Sequence, residues 1–254
     1  MLTDRTIINP AVMGIGEKIL QKYFRFLLTW PIGSIRVPVL MYHYISDNPN
    51  PGDKVRETLS VSPATFAAQI GYLAQHGYTS ITLNTLYDIF QGRRTPPAKP
   101  VVLTFDDGFV DFYLNAYPAL QQYNFCAVSF IITGAIGQGY YLSWDQVQEM
   151  QSSGLVSFEA HTVTHPNLTK LNHTSLLREL QESKDTLEAK IGCAVDFIAY
   201  PYGKINADVL NTAKQAGFVG GVATWHGKAS YPCMNMPRVQ VNGQWIPSAF
   251  ASRI

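Results

Sequence analysis

Cysteine is scarce in this chain. Cys126, Cys193 and Cys233 are the only three in 254 residues, widely spaced and with no C-x-x-C pair. That argues against a disulfide framework and against a cysteine-based zinc knuckle. Cys126 lies in the apolar run Phe125-Cys126-Ala127-Val128 and is expected to be buried. An excess of one charge sign is also missing: 19 Lys and Arg against 18 Asp and Glu leave a formal net charge of +1. With no Lys/Arg block either, a nucleic-acid partner is not expected. Long apolar runs are absent. The apolar cluster in residues 17–36 is broken by Lys18, Lys22 and Arg25, which argues against a membrane-spanning helix, and no ordered secretion signal is visible. No internal repeat stands out. No G-x-G-x-x-G follows the first strand-like segment, so dinucleotide binding has no support.

What is present is the composition of a folded domain, 46% apolar and 15% charged, long enough to bury one large core. Aromatic residues make up 12%, a supply of flat rings that either fill the core or line a sugar groove. Residues 1–34 read as a separate N-terminal segment. Ile19, Tyr23, Leu27 and Trp30 are spaced for one face of an amphipathic helix. Such a helix docks on its parent domain or makes contact with a membrane surface.

From residue 35 to 254, short β-rich runs alternate with helical patterns. Strands are expected at 37–42, 101–105, 127–132, 155–159, near 195–199 and near 218–223. Helices are expected at 63–76, 109–123, 144–152, 173–190 and 206–216. Ser62 and Pro63 mark a helix start, and Ser143 with Gln146 forms a capping box. Glu179, Glu182, Lys184 and Lys190 are expected on the wet side of helix 173–190. The β-α-β-α order predicts a parallel sheet of about seven strands with covering helices, closed as a barrel related to the (β/α)₈ type or open and doubly wound.

The chemistry-bearing residues gather where predicted strands end, the place where parallel α/β folds build their sites. Thr104-Phe105-Asp106-Asp107-Gly108 sets two carboxylates side by side, an arrangement that a bound cation relieves. It also reads as a plain Asp-Gly turn. His161-Thr162-Val163-Thr164-His165-Pro166 pairs two His, on a loop rather than a helix because of Pro166 and the β-branched residues. One Asp with two His is the ligand set of a catalytic metal site with an open position, and the second Asp is then free to act as a base. Ala199-Tyr200-Pro201-Tyr202-Gly203 offers two rings for a sugar groove and a turn with exposed N–H donors. His43, after Leu40-Met41-Tyr42, ends the first strand. There it serves either as a general acid or as a structural residue.

These motifs resemble those of the polysaccharide deacetylases with a NodB homology domain, carbohydrate esterase family 4. Residues 104–108 match T-F-D-D-G, residues 161–165 match H-[ST]-x-x-H, and residues 199–203 match R-x-P-Y-G except at the first position. The resemblance implies a distorted (β/α)₇ barrel over residues 35–254 and hydrolysis of acetamide groups on an N-acetylated glycan. It implies Asp106 as catalytic base, Asp107, His161 and His165 as metal ligands, and the Tyr202 N–H as oxyanion donor, with Tyr200 and Pro201 beside it at the substrate. The expected cofactor is a divalent metal, first Zn²⁺, with Co²⁺, Ni²⁺ or Fe²⁺ as alternatives. A cell-envelope or extracytoplasmic setting goes with such substrates.

Two departures stand out. Ala199 occupies the place of an Arg that orients the catalytic Asp, and no L-x-L-H lies near the C-terminus. Both are similar to the circularly permuted subgroup that includes poly-N-acetylglucosamine deacetylases. There the acid-bearing motif moves to the N-terminus, which makes His43 the expected acid and Arg238 the expected partner of Asp106. Two other readings are a glycan-binding domain without catalysis, and a related hydrolase acting on a non-sugar amide or a carbohydrate ester.

Overall fold

A computed structural model describes residues 35–47, 52–231, 233–245 and 247–254. The strands are β1 (Val39–Tyr42), β2 (Thr79–Ser80), β3 (Pro100–Phe105), β4 (Ala127–Ile131), β5 (Val156–Ala160), β6 (Phe197–Ala199), β7 (Gly220–His226) and β8 (Met236–Gln240). All pair in parallel. β1 joins β3 on one side, Val39 opposite Val102, and β8 on the other, Leu40 opposite Val239. Those two pairings close the ring β1-β3-β4-β5-β6-β7-β8, and the open-sheet alternative falls. The chain is thus a seven-stranded parallel barrel with covering helices. The two-residue β2 pairs only with the start of β3.

The two-residue period of a strand sorts the side chains. Leu40, Tyr42, Leu103, Phe105, Phe158 and Ile198 point outward into the cluster shared with the helices. Val39, Val102, Val128, Phe130, Phe197 and Val222 point into the lumen and form a second cluster. The helices are α1 (Lys54–Leu59), α2 (Pro63–Gln75), α3 (Leu83–Phe90), α4 (Tyr117–Tyr123), α5 (Trp144–Ser152), α6 (His173–Ile191), α7 (Ala207–Gln215) and α8 (Pro247–Ala251). α3 closes the floor of the barrel. Its Leu83, Leu86, Ile89 and Phe90 join the lumen cluster, and Asn84 Nδ2 donates to Asp196, just ahead of β6, at 3.2 Å. Each fully buried Leu or Phe in these layers contributes about 1.5–3 kcal/mol. The apolar floor leaves only the C-terminal mouth for polar chemistry.

Local signals explain most boundaries. Ser62 Oγ accepts from Thr65 N at 3.2 Å with Pro63 in the first turn, and both halves of the Ser143/Gln146 capping box form. Segment 109–123 is not one α-helix. It opens as a π-helical turn over Phe112–Ala116, in which Tyr117 N–H reaches Phe112 O. Pro118 has no N–H for the carbonyl four residues back, and the wider turn precedes it. β1 begins at Val39 rather than Val37, which instead pairs antiparallel with Ala229. β7 runs on to His226, past the expected end near 223.

Three side-chain expectations need correcting. Glu179 sits on the buried stripe of α6 with Leu176, Leu180, Ser183 and Leu187. Lys184 is half-buried and donates to Val195 O and Glu188 Oε1. Cys126 is half-buried, not buried. The segment assigned to an N-terminal amphipathic helix, 1–34, lies outside the described residues.

Candidate active site at the barrel mouth

Three of the lumen-facing positions that fall one step beyond a strand end are His43 after β1, Asp106 after β3 and His161 after β5. Arg238 enters the same space from within β8. It is fully buried and places all of its polar reach on this mouth. Its Nη1 and Nη2 grip Asp106 Oδ1 and Oδ2 at 2.7 and 2.6 Å. Nη1 also donates to Thr104 Oγ1 at 3.0 Å, and Nε to Ala223 O at 2.9 Å. Thr104 Oγ1 in turn donates to Leu40 O at 2.8 Å. A bidentate pair of this kind fixes both the position and the ionised state of a carboxylate. Burial pushes the Asp106 pKa up, but the Arg238 charge and its hydrogen bonds, helped by His43 and His161, hold it well below the usual carboxylate range. His43 Nε2 lies 3.8 Å from Asp106 Oδ2. Burial lowers the His43 pKa, and the attraction of Asp106 and Asp107 only partly offsets that.

Asp107, His161 and His165 gather beside this pair. Asp107 Oδ1 is 3.4 Å from His161 Nε2 and 3.6 Å from His165 Nε2, and the three donor atoms all lie within 4.8 Å of one another. Those separations are long for direct N–H···O bonds. They suit donors around one ion, since two ligands about 2.0–2.1 Å from a tetrahedral Zn²⁺ stand roughly 3.4 Å apart. The donor set therefore fits a divalent cation. His161 Nδ1 meets Ala199 O at 2.7 Å. That bond takes the Nδ1 proton and turns Nε2 toward Asp107, the usual way a metal-binding imidazole is oriented.

The electrostatics agree. Burial lowers the His161 pKa, yet Asp107 and Asp106 outweigh it and raise the value. Burial raises that of Asp107, and pairing with His161 outweighs it in turn. His165 is pushed down to about 4 by burial and by His161, so its lone pair is free at neutral pH.

The backbone carries strain here. Six non-glycine residues among those described have positive φ, and four are at this mouth: Asp107 (74°), Thr162 (67°), His165 (58°) and Tyr202 (59°). A β-branched residue in the left-handed region, such as Thr162, is a true outlier. Such strain persists only where the surroundings fix it. The fixing residue is Glu179 of α6, expected on the wet side of its helix but buried here. Its Oε2 accepts from Val163 N and Thr164 N, both at 2.9 Å, and its Oε1 from Thr164 Oγ1 at 2.7 Å. Thr162 Oγ1 in turn accepts from His165 N at 3.0 Å. The spacing 176, 179, 180, 183, 187 was the available signal that Glu179 lies on the apolar stripe.

The third motif divides. Tyr202 is exposed, with its ring 4.7 Å from that of His165, and its N–H has no hydrogen-bond partner among the described residues. Tyr200 does not wall a groove. It is fully buried on the outward face of the barrel and donates to Met234 O at 3.0 Å, because one step along the chain reverses the side-chain direction. Pro201 is buried as well. Gly203 has φ of 64°, and a Cβ there would stand 2.8 Å from Thr224 N, so only glycine lets this turn close against β7.

Comparison with known proteins points one way. The family model described as polysaccharide deacetylase matches residues 93–221. The chain is 32% identical over 221 residues to YxkH of Bacillus subtilis (strain 168), which carries a polysaccharide deacetylase name. That match covers 86% of this chain and 76% of YxkH. It is 34% identical over 200 residues to the poly-beta-1,6-N-acetyl-D-glucosamine N-deacetylase of Staphylococcus aureus (strain MRSA252), covering 72% and 68%. Among solved structures it resembles the Streptococcus pyogenes deacetylase PplD in complex with acetate. The TM-score is 0.81 at 31% identity, covering 86% of this chain and 98% of that one.

Proposed function

Because the chain belongs to the polysaccharide deacetylase family, hydrolases that deacetylate polysaccharides, we propose that it hydrolyses the acetamide group of an N-acetylated polysaccharide or oligosaccharide and releases acetate. A β-1,6-linked N-acetylglucosamine polymer is the first substrate to try, on the strength of the S. aureus relative. Asp107, His161 and His165 would hold a divalent metal, first Zn²⁺. Bound there, the ion supplies an acidified water and polarises the acetyl carbonyl.

The observation that carries this reading is the juxtaposition of two unlike carboxylates. Asp107 faces two His side chains, and its sequence neighbour Asp106 is locked onto Arg238. Asp106 is the base that accepts the proton of the attacking water. Arg238 keeps it ionised and aimed, the task of the Arg whose place Ala199 takes. The unpartnered Tyr202 N–H donates to the oxyanion. His43 protonates the leaving amine, and its lowered pKa makes an imidazolium there a willing proton donor.

The deciding experiment couples metal analysis of the purified protein to acetate release. The substrates are β-1,6- and β-1,4-linked N-acetylglucosamine oligomers, peptidoglycan fragments and acetylated xylan. Expected are one divalent ion per chain and acetate from an N-acetylated oligomer, abolished by a chelator and restored by Zn²⁺. Binding of an oligomer without acetate, or acetate from xylan alone, would overturn the reading.

A further inference from the structure

Of the run Thr104-Phe105-Asp106-Asp107-Gly108, the mechanism above uses only the two carboxylates. Phe105 packs outward on Tyr42, ring centroids 5.1 Å apart. Gly108 takes a φ of 81° in the turn that follows β3. Thr104 has no task yet. It is fully buried and faces the lumen one strand period below Asp106, so it touches no substrate.

Its hydroxyl is nevertheless engaged on both sides. Oγ1 donates to Leu40 O at 2.8 Å and accepts from Arg238 Nη1 at 3.0 Å. The directions are forced: a carbonyl only accepts and a guanidinium only donates, so the hydroxyl proton goes to Leu40 and a lone pair faces Arg238. The guanidinium is thereby held at two points besides Asp106, Nε on Ala223 O at 2.9 Å and Nη1 on Thr104. Leu40, Thr104, Arg238 and Ala223 stand on β1, β3, β8 and β7, which are neighbours in the ring. Among the described residues, Thr104 supplies the one side-chain contact that braces the guanidinium apart from Asp106 itself. With Nε as its remaining anchor, the fork would be free to turn about the Ala223 contact and take the Asp106 carboxylate with it.

We propose that Thr104 is a positioning residue for the hydrolysis, acting through Arg238 to set where the Asp106 carboxylate points. Its loss misplaces the base without removing it, and leaves the metal ligands and the substrate contacts as they are. A misplacement of about 1 Å at a reacting group costs on the order of 10²-fold in rate. A carboxylate still gripped by both Nη atoms moves less, so a loss of about tenfold is expected. The inference rests on the deacetylase reading above.

The test measures kcat and KM separately for acetate release by the Zn²⁺-loaded protein, on whichever N-acetylglucosamine oligomer, β-1,6- or β-1,4-linked, the wild type hydrolyses faster. Metal content and a melting curve are taken for every variant. Thr104→Val keeps the branched shape and removes both hydrogen bonds; Thr104→Ser keeps the bonds and removes the methyl group. In Thr104→Val, kcat should fall about tenfold with KM and metal content unchanged, and Thr104→Ser should recover most of that loss. In an Arg238→Met background the same Thr104→Val change should cost nothing further, because its route to Asp106 is already cut. Should Thr104→Val not fold, Thr104→Cys against Thr104→Ser makes the comparison at matched size, a thiol being a weak acceptor. Three results would each overturn the role and leave the deacetylase reading intact: wild-type kcat in folded Thr104→Val or Thr104→Cys, a loss carried by KM or by metal content, or a Thr104→Ser variant no better than these. A further loss of kcat in the Arg238→Met background would do the same. A metal-loaded wild type that releases acetate from no N-acetylated oligomer would overturn both.

Discussion

The two halves of the mouth are built by opposite means. Asp106 and Arg238 sit at or within strands, nearly without solvent exposure, and their polar atoms are engaged by short bonds to each other, to Thr104 and to a carbonyl. Asp107, His165 and Tyr202 sit on loops with left-handed backbone, at donor separations that leave room between them. The first half is complete as a protein structure. The second is, in the proposed function, completed by an ion. In the proposed mechanism the base is aimed before substrate arrives, which is the use of this lock. In the same proposal the second group shares an ion, and strain together with Glu179 behind the loop keeps its donors apart.

This contrast can be broken by substitution. The largest effect is expected from Asp106→Asn: acetate release should fall by about 10²- to 10⁴-fold while metal content, read by elemental analysis, stays at the wild-type level. A parallel loss of metal would mean that the two halves are not separable. Next comes Arg238→Met, which leaves a buried carboxylate alone and should cost about 3–5 kcal/mol in urea unfolding. The sign with pH follows from the depressed Asp106 value. The pair's contribution is present above the unfolded carboxylate pKa of about 3.9 and is lost as pH falls through the lower folded value, so the gap between wild type and Arg238→Met should narrow in strong acid. The double variant Asp106→Leu/Arg238→Met should recover much of that stability and none of the turnover.

A smaller effect belongs to the loop half. Glu179→Gln, which keeps the side-chain shape but not its charge, should weaken metal affinity by about 10- to 100-fold, read by chelator competition, with little change in urea midpoint. The smallest effect lies below both halves. Glu159 is buried in the lumen with its carboxyl raised well above the usual range by burial, although Phe197 N donates to it at 2.8 Å. A raised carboxyl contributes most below its unfolded pKa of about 4.3, and that contribution is lost as pH rises. Glu159→Gln should therefore raise thermal stability at pH 8 by on the order of 1 kcal/mol and leave it unchanged at pH 4. A gain of equal size at both pH values would remove charge as its cause.

Much of the architecture could be read in advance because the β3, β4 and β5 segments, VVLTF, AVSFI and VSFEA, carry strong strand patterns with helical spacing between them. β8 could not. Met236-Pro237-Arg238-Val239-Gln240 puts a proline and a charged residue in a strand, and both look like loop until the lumen gives Arg238 a buried partner. α3 was missed for a related reason: its apolar residues serve the barrel floor rather than a helix-covered face. At the mouth, residue types and spacing named the side chains that converge. They did not reveal Glu179, whose role depends on a loop 15 and 16 residues away, and they misplaced Tyr200, whose direction depends on where β6 ends.

The closure of the ring through β1 also sets an order of events during biogenesis. Leu40 near the start of the described chain pairs with Val239 near its end, a contact of very high sequence separation and correspondingly slow formation. Until β8 has emerged, β1 has an open edge, and Asp106 faces a lumen without its cation. A chain truncated before Arg238 thus lacks barrel closure and charge compensation together, and presents an unpaired strand edge to proteases and chaperones. Full-length synthesis and charge compensation of Asp106 are thus reported by the same residue.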